Sequence, residues 1–359
     1  MLKFSMKNSD NKFALIMAGG QGTRFWPYST LEEPKQFLKI IGKDSLILQT
    51  FKRLEKIVPK ENIFVVAHNR YLNSVIDAVP DFKKSNFIDE PIAKNTAPCL
   101  ILSNIFLSGI NQNAKLLVVP ADHYIPNSQV FAEQMKNAFE LADKKNIITF
   151  GITPDSPHTG YGYIKFDKTK KESINKSDFY TAMEFKEKPD KTTAQKYLDD
   201  KTYLWNSGMF VYKLDNFKLF LKKYSDYYYK EYLNLESSYE NKENFYNIFN
   251  NIKPESIDYA LMERVKELKI SPVEFEWNDV GSWSSVYDLK EKDDKGNANL
   301  GKNAMLDTSN SMAFSTENKP IAIIGLENVV VINTKKGILV SHIDNLQQVK
   351  QVQDLLEKK

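Results

Sequence analysis

Short apolar runs alternate with amphipathic stretches through the first 150 residues of this chain, and this alternation limits the folds that it can adopt. The runs at 14–18, 63–67, 116–119 and 147–150 are predicted to be buried strands. Between them, residues 45–58 carry apolar side chains at three- and four-residue spacing, and residues 95–110 form a second helical pattern. Strands that alternate with helices favour βαβ units, so we expect a doubly wound, Rossmann-like, mostly parallel α/β sheet with right-handed crossovers.

The pattern changes twice further along the chain. Residues 161–212 contain strand patterns without long helices between them and are interpreted as an insertion laid over the sheet, whereas residues 216–249 form an aromatic- and lysine-rich helical region. Residues 291–302 are polar and charged and are the best candidate for a linker. Short strand patterns and a terminal helix at 347–356 follow. We therefore predict a catalytic domain over 12–290 and a small β-rich domain over 303–359.

Composition excludes several classes of protein. The chain has 359 residues and 42% hydrophobic content, which is enough for one large domain and a smaller one. Its 49 basic and 46 acidic residues are interspersed, so bulk electrostatic binding of nucleic acid is not indicated. No run approaches a membrane span, and residues 1–12 lack the apolar core of a signal peptide. A single cysteine, Cys99, favours a reducing compartment, and we expect a cytoplasmic protein.

A glycine-rich loop follows the first predicted strand. Gly19, Gly20 and Gly22 let the backbone approach a ligand closely, and their N–H groups can converge on phosphate oxygens. The loop matches neither the Walker motif nor the dinucleotide fingerprint, and a plain tight turn is an equally good interpretation of the glycines alone. Arg24 and Lys35 add two cations beside the loop, as a triphosphate would require.

The loop and its continuation resemble the signature of the sugar-1-phosphate nucleotidyltransferases, and in particular its mannose-1-phosphate guanylyltransferase branch. The matching residues are Gly19-Gly20-Gln21-Gly22-Thr23-Arg24-Phe25-Trp26-Pro27 and Pro34-Lys35-Gln36-Phe37-Leu38. Further matching blocks follow in order: Glu90-Pro91, Asn95-Thr96-Ala97-Pro98, Pro120-Ala121-Asp122-His123, Gly160-Tyr161-Gly162-Tyr163, Glu187-Lys188-Pro189, Trp205-Asn206-Ser207-Gly208, Ile257-Asp258-Tyr259 and Asp279-Val280-Gly281. The chain departs from the family at Lys94 and Thr30, where an arginine is usual.

Two aspartates are candidate metal ligands. Asp122 ends a predicted buried strand, and ligands of open α/β sheets bind beyond the carboxyl ends of strands, so Asp122 is placed to meet the glycine loop. The resemblance implies that Asp279 is the second carboxylate on one Mg²⁺. Oxygen ligands of this kind suit a hard octahedral cation. For either aspartate taken alone, a turn or a helix cap is the more common role.

The resemblance implies transfer of GMP from GTP to α-D-mannose 1-phosphate, giving GDP-mannose and pyrophosphate by Mg²⁺-dependent in-line attack. It assigns Arg24 and Lys35 to the triphosphate and Lys188 to the phosphate of the sugar. The expected site residues are catalytic Arg24, Lys35, Asp122 and Lys188; nucleotide-binding Gly19, Gly20, Gly22, Thr23, Asn95 and Thr96; sugar-binding Gly162, Glu187 and Asn206; and metal-binding Asp122 and Asp279.

Two alternatives stay open. One is another sugar-1-phosphate nucleotidyltransferase that joins a hexose or heptose 1-phosphate to GTP, UTP or dTTP, because the residues themselves do not select the base. The other is a non-catalytic subunit that senses nucleotide sugars, although such a protein would be expected to lose a metal carboxylate or a phosphate cation. The resemblance also leaves a homodimer open and implies a β-helix-like C-terminal module. Since the chain ends at Lys359, isomerase activity is not expected.

Overall fold

A computed structural model describes residues 11–20, 22–142 and 144–357 of the chain. The expectation about residues 1–12 therefore falls almost wholly outside the described residues. The chain divides into two compact units, here called the sheet unit and the loop unit. The sheet unit holds the chain up to Gly19, with Phe51–Pro120 and Ile125–Trp277, and the loop unit holds Gly20–Thr50, Ala121–Tyr124 and Asn278–Lys359. The predicted domains, 12–290 and 303–359, remain a prediction.

The sheet unit is built on a nine-stranded mixed sheet with the order β3-β2-β1-β4-β8-β5-β9-β7-β6. Strands β3, β2, β1 and β4 run parallel, as the sequence predicts for alternating strands and helices. The bounds are β1 Lys12–Met17, β2 Ile63–Ala67, β3 Phe87–Asp89, β4 Lys115–Pro120, β5 Ile147–Ile152, β6 Tyr163–Ile174, β7 Ser177–Lys186, β8 Tyr203–Lys213 and β9 Leu268–Pro272.

The strands at 161–212 are not an insertion laid over the sheet, and that expectation is wrong. β8 pairs with β4, β5 and β6, β6 pairs with β7, and β7 pairs with β9, and all of these pairings are antiparallel. β9 joins the sheet through a parallel pairing with β5. Alternating polarity identifies these strands but does not say which neighbours they pair with. The sheet therefore continues through the region that holds Gly162, Glu187 and Asn206.

The helices lie largely where the periodicity predicts them, and the helical region 216–249 is confirmed as three helices. The first helix ends at Leu54 rather than continuing to residue 58, because the chain turns where Ile57 and Val58 both donate to the carbonyl of Leu54. The bounds are α1 Leu46–Leu54, α2 Leu72–Ala78, α3 Thr96–Asn111, α4 Ser128–Leu141, α5 Lys191–Asp200, α6 Leu214–Tyr224, α7 Asp226–Ser238, α8 Lys242–Asn251, α9 Ile257–Ala260, α10 Trp283–Leu289 and α11 Val349–Glu357.

Short 3₁₀ helices occupy several turns. They span Thr23–Phe25, Lys35–Phe37, Lys60–Asn62, Asn69–Tyr71, Lys84–Asn86, Met262–Arg264 and Ile343–Gln348. The first two carry the residues that the sequence assigns to the triphosphate. In the described part of the chain, no helix combines the length and the apolarity needed to cross a bilayer.

The C-terminal part of the loop unit stacks short strands in parallel and ends in one antiparallel pair, β14 with β15. The strands are β10 Ala298–Leu300, β11 Ala304–Leu306, β12 Met312–Ser315, β13 Ala322–Ile324, β14 Val329–Thr334 and β15 Gly337–His342. β10, β12 and β14 pair in parallel, as do β11 and β13, which gives the predicted β-helix-like module. The predicted linker is shorter than 291–302, because residues 298–300 form β10 with Ala298 fully buried.

An aromatic cluster packs the glycine-loop segment against these strands inside the loop unit. Trp283, fully buried, lies 5.2 Å from the ring of Phe25 and 5.1 Å from that of Phe314, centroid to centroid. Its indole Nε1 donates to the carbonyl of Trp26 at 3.2 Å. Aromatic burial of this kind fixes the backbone that follows the glycines, including the 3₁₀ turn Thr23–Phe25.

Candidate functional site

Gly22 brings the loop into close contact with the second cationic segment. Its φ of 63° is in the left-handed region, and a Cβ there would lie 2.5 Å from Lys35 Cβ and 2.9 Å from Ser29 Oγ. Only glycine combines that backbone conformation with that space. The motif glycine at position 22 therefore sets the distance between the loop and Lys35. The neighbouring Gln21 lies outside the described residues.

Lys35 is buried and engaged by protein acceptors. Its Nζ lies 2.7 Å from Asp122 Oδ2, and it donates to the carbonyl oxygens of Asp279 at 3.0 Å and Val280 at 2.8 Å. An ammonium has three donors, so these three acceptors account for all of them. Lys35 therefore ties one candidate metal carboxylate to the backbone that carries the other.

The turn that carries Asp279 is strained and is held in place from both sides. Val280 has a φ of 47°, a conformation that costs a β-branched residue free energy. Its N–H donates to Asn278 Oδ1 at 2.7 Å, and its carbonyl accepts from Lys35. Asn278 and Tyr124 also exchange backbone hydrogen bonds of 3.0 and 2.8 Å. This bridge aligns the segment after Asp122 with the segment before Asp279.

A cavity of about 280 Å³ in the loop unit collects the predicted phosphate and metal residues. It is lined by Gly22, Thr23, Arg24, Phe25, Lys35, Asp122, His123, Asp279, Gly281 and Lys350. Lys350, on α11, was not predicted, because an exposed terminal helix gives no signal of a ligand. Arginine and lysine cations and two carboxylates thus line one space with the end of the glycine loop.

Electrostatics in this cavity favour an ionised Asp122. Burial acts to raise the pKa of its carboxyl, but the Lys35 ammonium, helped by His123, holds it below its ordinary value. No group of three or more His, Cys, Asp or Glu side chains suited to a metal occurs among the described residues. Two carboxylates with open space beside them nevertheless fit a hard cation that takes its other oxygens from phosphate and water.

The predicted sugar residues come together in the sheet unit, around Gly162. A Cβ at Gly162 would lie 2.4 Å from Glu187 Oε2, so this glycine leaves room for a carboxylate. Its carbonyl accepts from the N–H of Asn206 at 2.8 Å. Glu187 is buried and its Oε1 pairs at 3.2 Å with Nζ of Lys188, which is half-exposed. The Lys188 ammonium and the Glu187 carboxylate therefore pair next to the backbone of Gly162.

Asp258 belongs to the same group, although sequence reasoning assigned it no role. Asn206 Nδ2 donates to Asp258 Oδ1 at 2.9 Å, and Asn206 Oδ1 accepts from the N–H of Gly208 and from Thr149 Oγ1. Burial and the neighbouring Glu187 raise the pKa of Asp258 to about 7, and burial also raises that of Glu187. The Ile257-Asp258-Tyr259 block was the one signal that could have identified Asp258.

Three of the predicted nucleotide-binding residues, Gly19, Asn95 and Thr96, lie in the sheet unit, just after β1 and at the start of α3. Asn95, with a φ of 69°, uses its side-chain oxygen to accept from the N–H of Thr96. The Thr96 hydroxyl accepts from the N–H of Ile257 at 2.8 Å. Gly19 is beside the buried carboxyl of Glu90. Asn95 therefore caps α3, and Thr96 ties the start of α3 to the start of α9.

The two departures from the family pattern have structural partners. Lys94 Nζ donates to the carbonyl oxygens of Asn250 and Ile252 at 2.6 and 3.0 Å, where α8 ends. Thr30 Oγ1 accepts from Lys336 Nζ at 2.9 Å within the loop unit. Both side chains thus stabilise local structure in this protein.

An α/β sheet with a glycine loop directly after its first strand is an architecture that many nucleotide-binding proteins share. The sequence profile of the nucleotidyl transferase family matches residues 13–296, and that of the MannoseP isomerase/GMP-like beta-helix domain matches residues 301–356. The chain belongs to the nucleotidyl transferase family. It is a nucleotidyltransferase, and the predicted fold class is confirmed.

Within that family, the chain is similar to curated mannose-1-phosphate guanylyltransferases. It is 35% identical to one from Escherichia coli, over 94% of this chain and 74% of the relative, and 33% identical to one from Klebsiella pneumoniae, over 96% and 74%. A crystal structure described as mannose-1-phosphate geranyltransferase from Thermus thermophilus superposes with a TM-score of 0.85 at 26% identity, covering 97% of this chain and 99% of that one.

Proposed function

We propose that this protein transfers GMP from GTP to α-D-mannose 1-phosphate and releases pyrophosphate. The observation that carries the proposal is the link from Lys35 to Asp122 and to the backbone of Asp279, in the cavity that Arg24 also lines. The names of the similar proteins supply the sugar and the base, and they support this choice over the alternatives.

The reaction is an in-line displacement at the α-phosphorus of the triphosphate. A phosphate oxygen of the sugar 1-phosphate forms the new P–O bond, and the bond to the β-phosphate oxygen breaks as pyrophosphate leaves. The attacking phosphate is already ionised near neutral pH, so no general base is needed. Positioning and charge stabilisation are then the main tasks of the protein.

The proposed roles follow the two groups of residues. In the loop unit, Arg24 binds the triphosphate, the N–H groups of Gly22 and Thr23 face its oxygens, and Lys35 holds the carboxylates in place. Asp122 and Asp279 would hold a Mg²⁺ ion, which when bound would neutralise charge on the α-phosphate. In the sheet unit, Lys188 binds the phosphate of the sugar, while Gly162, Glu187 and Asn206 contact its hydroxyl groups. Gly19, Gly20, Asn95 and Thr96 border the base.

A pyrophosphate-release assay tests the proposal. GTP, UTP, dTTP and ATP are each combined with Mg²⁺ and a panel of hexose and heptose 1-phosphates. The proposal expects release with GTP and mannose 1-phosphate well above every other pair. Faster release with UTP or dTTP would favour another sugar-1-phosphate nucleotidyltransferase, and tight GDP-mannose binding without any release would favour a sensing subunit. A cytoplasmic location and a homodimer remain predictions.

A further inference from the structure

Lys350 is a cation in the phosphate cavity to which the proposed mechanism gives no role. It is the second residue of α11 and lines the cavity together with Thr23, Arg24 and Asp122. Lys350 is exposed, and among the described residues no oxygen forms an ion pair or a hydrogen bond with its ammonium. An ammonium carries three donors and no acceptor, so this one is available to an anion that enters the cavity.

Packing within the loop unit holds Lys350 near Arg24. α11 contacts the 3₁₀ turn Thr23–Phe25 directly. Val349, which is 2% exposed, and Phe25, which is fully buried, belong to the same apolar core. Lys350 follows Val349 in the chain and Arg24 precedes Phe25, so each cation adjoins a residue that this core anchors. Close packing of the core therefore fixes the backbone of both cations at one cavity.

The charges that line the cavity indicate the kind of ligand that Lys350 binds. Arg24 and Lys35 balance the carboxylates of Asp122 and Asp279, so Lys350 gives the lining an excess of positive charge. The three donors of the Lys35 ammonium are already engaged by protein acceptors. Arg24 and Lys350 are therefore the lining cations that can give their donors to a ligand. Two such cations suit an anion with several charged oxygens, such as a polyphosphate.

We propose that Lys350 binds the β- and γ-phosphates of the nucleotide, the part that leaves as pyrophosphate. This inference rests on the proposed function, which assigns the triphosphate to Arg24 and the α-phosphate to the ion at Asp122 and Asp279. Negative charge grows on the leaving pyrophosphate as its bond to the α-phosphorus breaks, so an ammonium there stabilises the transition state. Lys350 lies in the part of the chain that matches the beta-helix domain. The C-terminal module thus supplies a side chain that contacts the substrate.

The test measures the equilibrium binding of GTP, GMP and pyrophosphate, each with Mg²⁺ and without sugar phosphate, in wild type and in Lys350→Met. Lys350→Met should bind GTP and pyrophosphate about tenfold or more weakly, since a charge-assisted hydrogen bond is lost. GMP lacks both terminal phosphates, so its affinity should stay within about twofold of the wild-type value. Lys350→Arg keeps the positive charge and should bind GTP within about threefold of wild type.

Lys302→Met is the matched control. Lys302 is an exposed lysine of the loop unit that does not line the cavity, so the same loss of charge there should change GTP affinity by less than about twofold. Unchanged GTP binding by Lys350→Met would overturn the inference, as would an equal loss of GMP and GTP affinity or an equal loss in Lys302→Met. The expected binding losses in a protein that releases no pyrophosphate from GTP and mannose 1-phosphate would refute the proposed transfer and leave the role of Lys350 standing.

Discussion

Lys35 Nζ lies 2.7 Å from Asp122 Oδ2 and at the same time donates to the carbonyl oxygens of Asp279 and Val280. One buried ammonium thereby joins the segment after β4 to a turn more than 150 residues later in the chain. A triphosphate could recruit Lys35 only by replacing one of these acceptors. The direct phosphate contact therefore falls first to Arg24, which lines the same cavity.

Replacing Lys35 with methionine should destabilise the loop unit. The change leaves the Asp122 carboxylate and two carbonyl oxygens without their common donor, and we expect a loss of about 2 kcal/mol in the free energy of unfolding. Urea unfolding measures it. Lys336→Met is the control, because Lys336 pairs with Glu33 at 3.2 Å on the surface and should cost less than about 1 kcal/mol. Equal losses in the two variants would contradict the role given to Lys35.

Gly22→Ala should be far more harmful than an ordinary glycine substitution. The new Cβ would need a φ of 63° and would lie 2.5 Å from Lys35 Cβ, so we expect several kcal/mol of destabilisation or failure to fold. Gly109→Ala serves for comparison, since Gly109 is within α3 and a Cβ there meets no atom within 4 Å. In that variant the free energy of unfolding should rise by up to about 1 kcal/mol, because alanine has a higher helix propensity than glycine. Thermal unfolding of both variants decides, and a fully stable Gly22→Ala would refute the packing argument.

Asp258→Ala should weaken the sugar substrate selectively. Asp258 accepts from Asn206, which we propose contacts the sugar, and its removal would leave that amide without the partner that orients it. We expect KM for mannose 1-phosphate to rise about tenfold to a hundredfold, with KM for GTP nearly unchanged. Steady-state kinetics with each substrate varied provide the measurement. Asp226→Ala, at an exposed position of α7, is the control, and equal effects on both KM values would argue against a sugar contact.

Glu90 should make stability depend on pH. Burial raises its pKa from 4.5 to about 7, and Asp89 acts in the same direction, so the native state binds more protons than the unfolded state between those values. Stability from this group is therefore present at low pH and is lost as pH rises towards 7. Glu90→Gln lacks the effect, so its stability relative to wild type should increase by about 3 kcal/mol between about pH 4.5 and pH 8. Urea unfolding at the two pH values measures it, and a pH-independent difference would show that Glu90 is not desolvated as described.

The sequence predicts local structure well in this protein, because local structure depends on residues close in the chain. Apolar runs locate β1, β2, β4 and β5, and the helical pattern at 95–110 locates α3. The pairing of β8 with β4 and β5 could not be predicted, since alternation does not name a partner strand. The hydrogen bond from Lys35 to the carbonyl of Val280 could not be predicted either, because nothing in the sequence around Val280 indicates that its carbonyl accepts from Lys35.

In the candidate site, too, the sequence predicts the features that are local in the chain and not the contacts between distant segments. The glycine motif, Arg24 and Asp122 are identifiable because a strand, a tight loop and a charge follow one another directly. Other contacts depend on where separate strands and helices end in space. Examples are the hydrogen bond from Asn206 to Asp258 and the position of Glu90 beside Gly19. Such contacts follow from tertiary packing, and no single segment encodes them.

The most direct test of the proposed reaction uses two samples of GTP, one with a radioactive α-phosphate and one with a radioactive γ-phosphate. Each sample is incubated with the protein, mannose 1-phosphate and Mg²⁺, and the products that carry the label are identified. We predict that the α-label appears in GDP-mannose and that the γ-label appears in pyrophosphate, in equal amounts. Release of the γ-label as inorganic phosphate, or an α-label that remains in GTP while the folded protein binds it, would contradict the account.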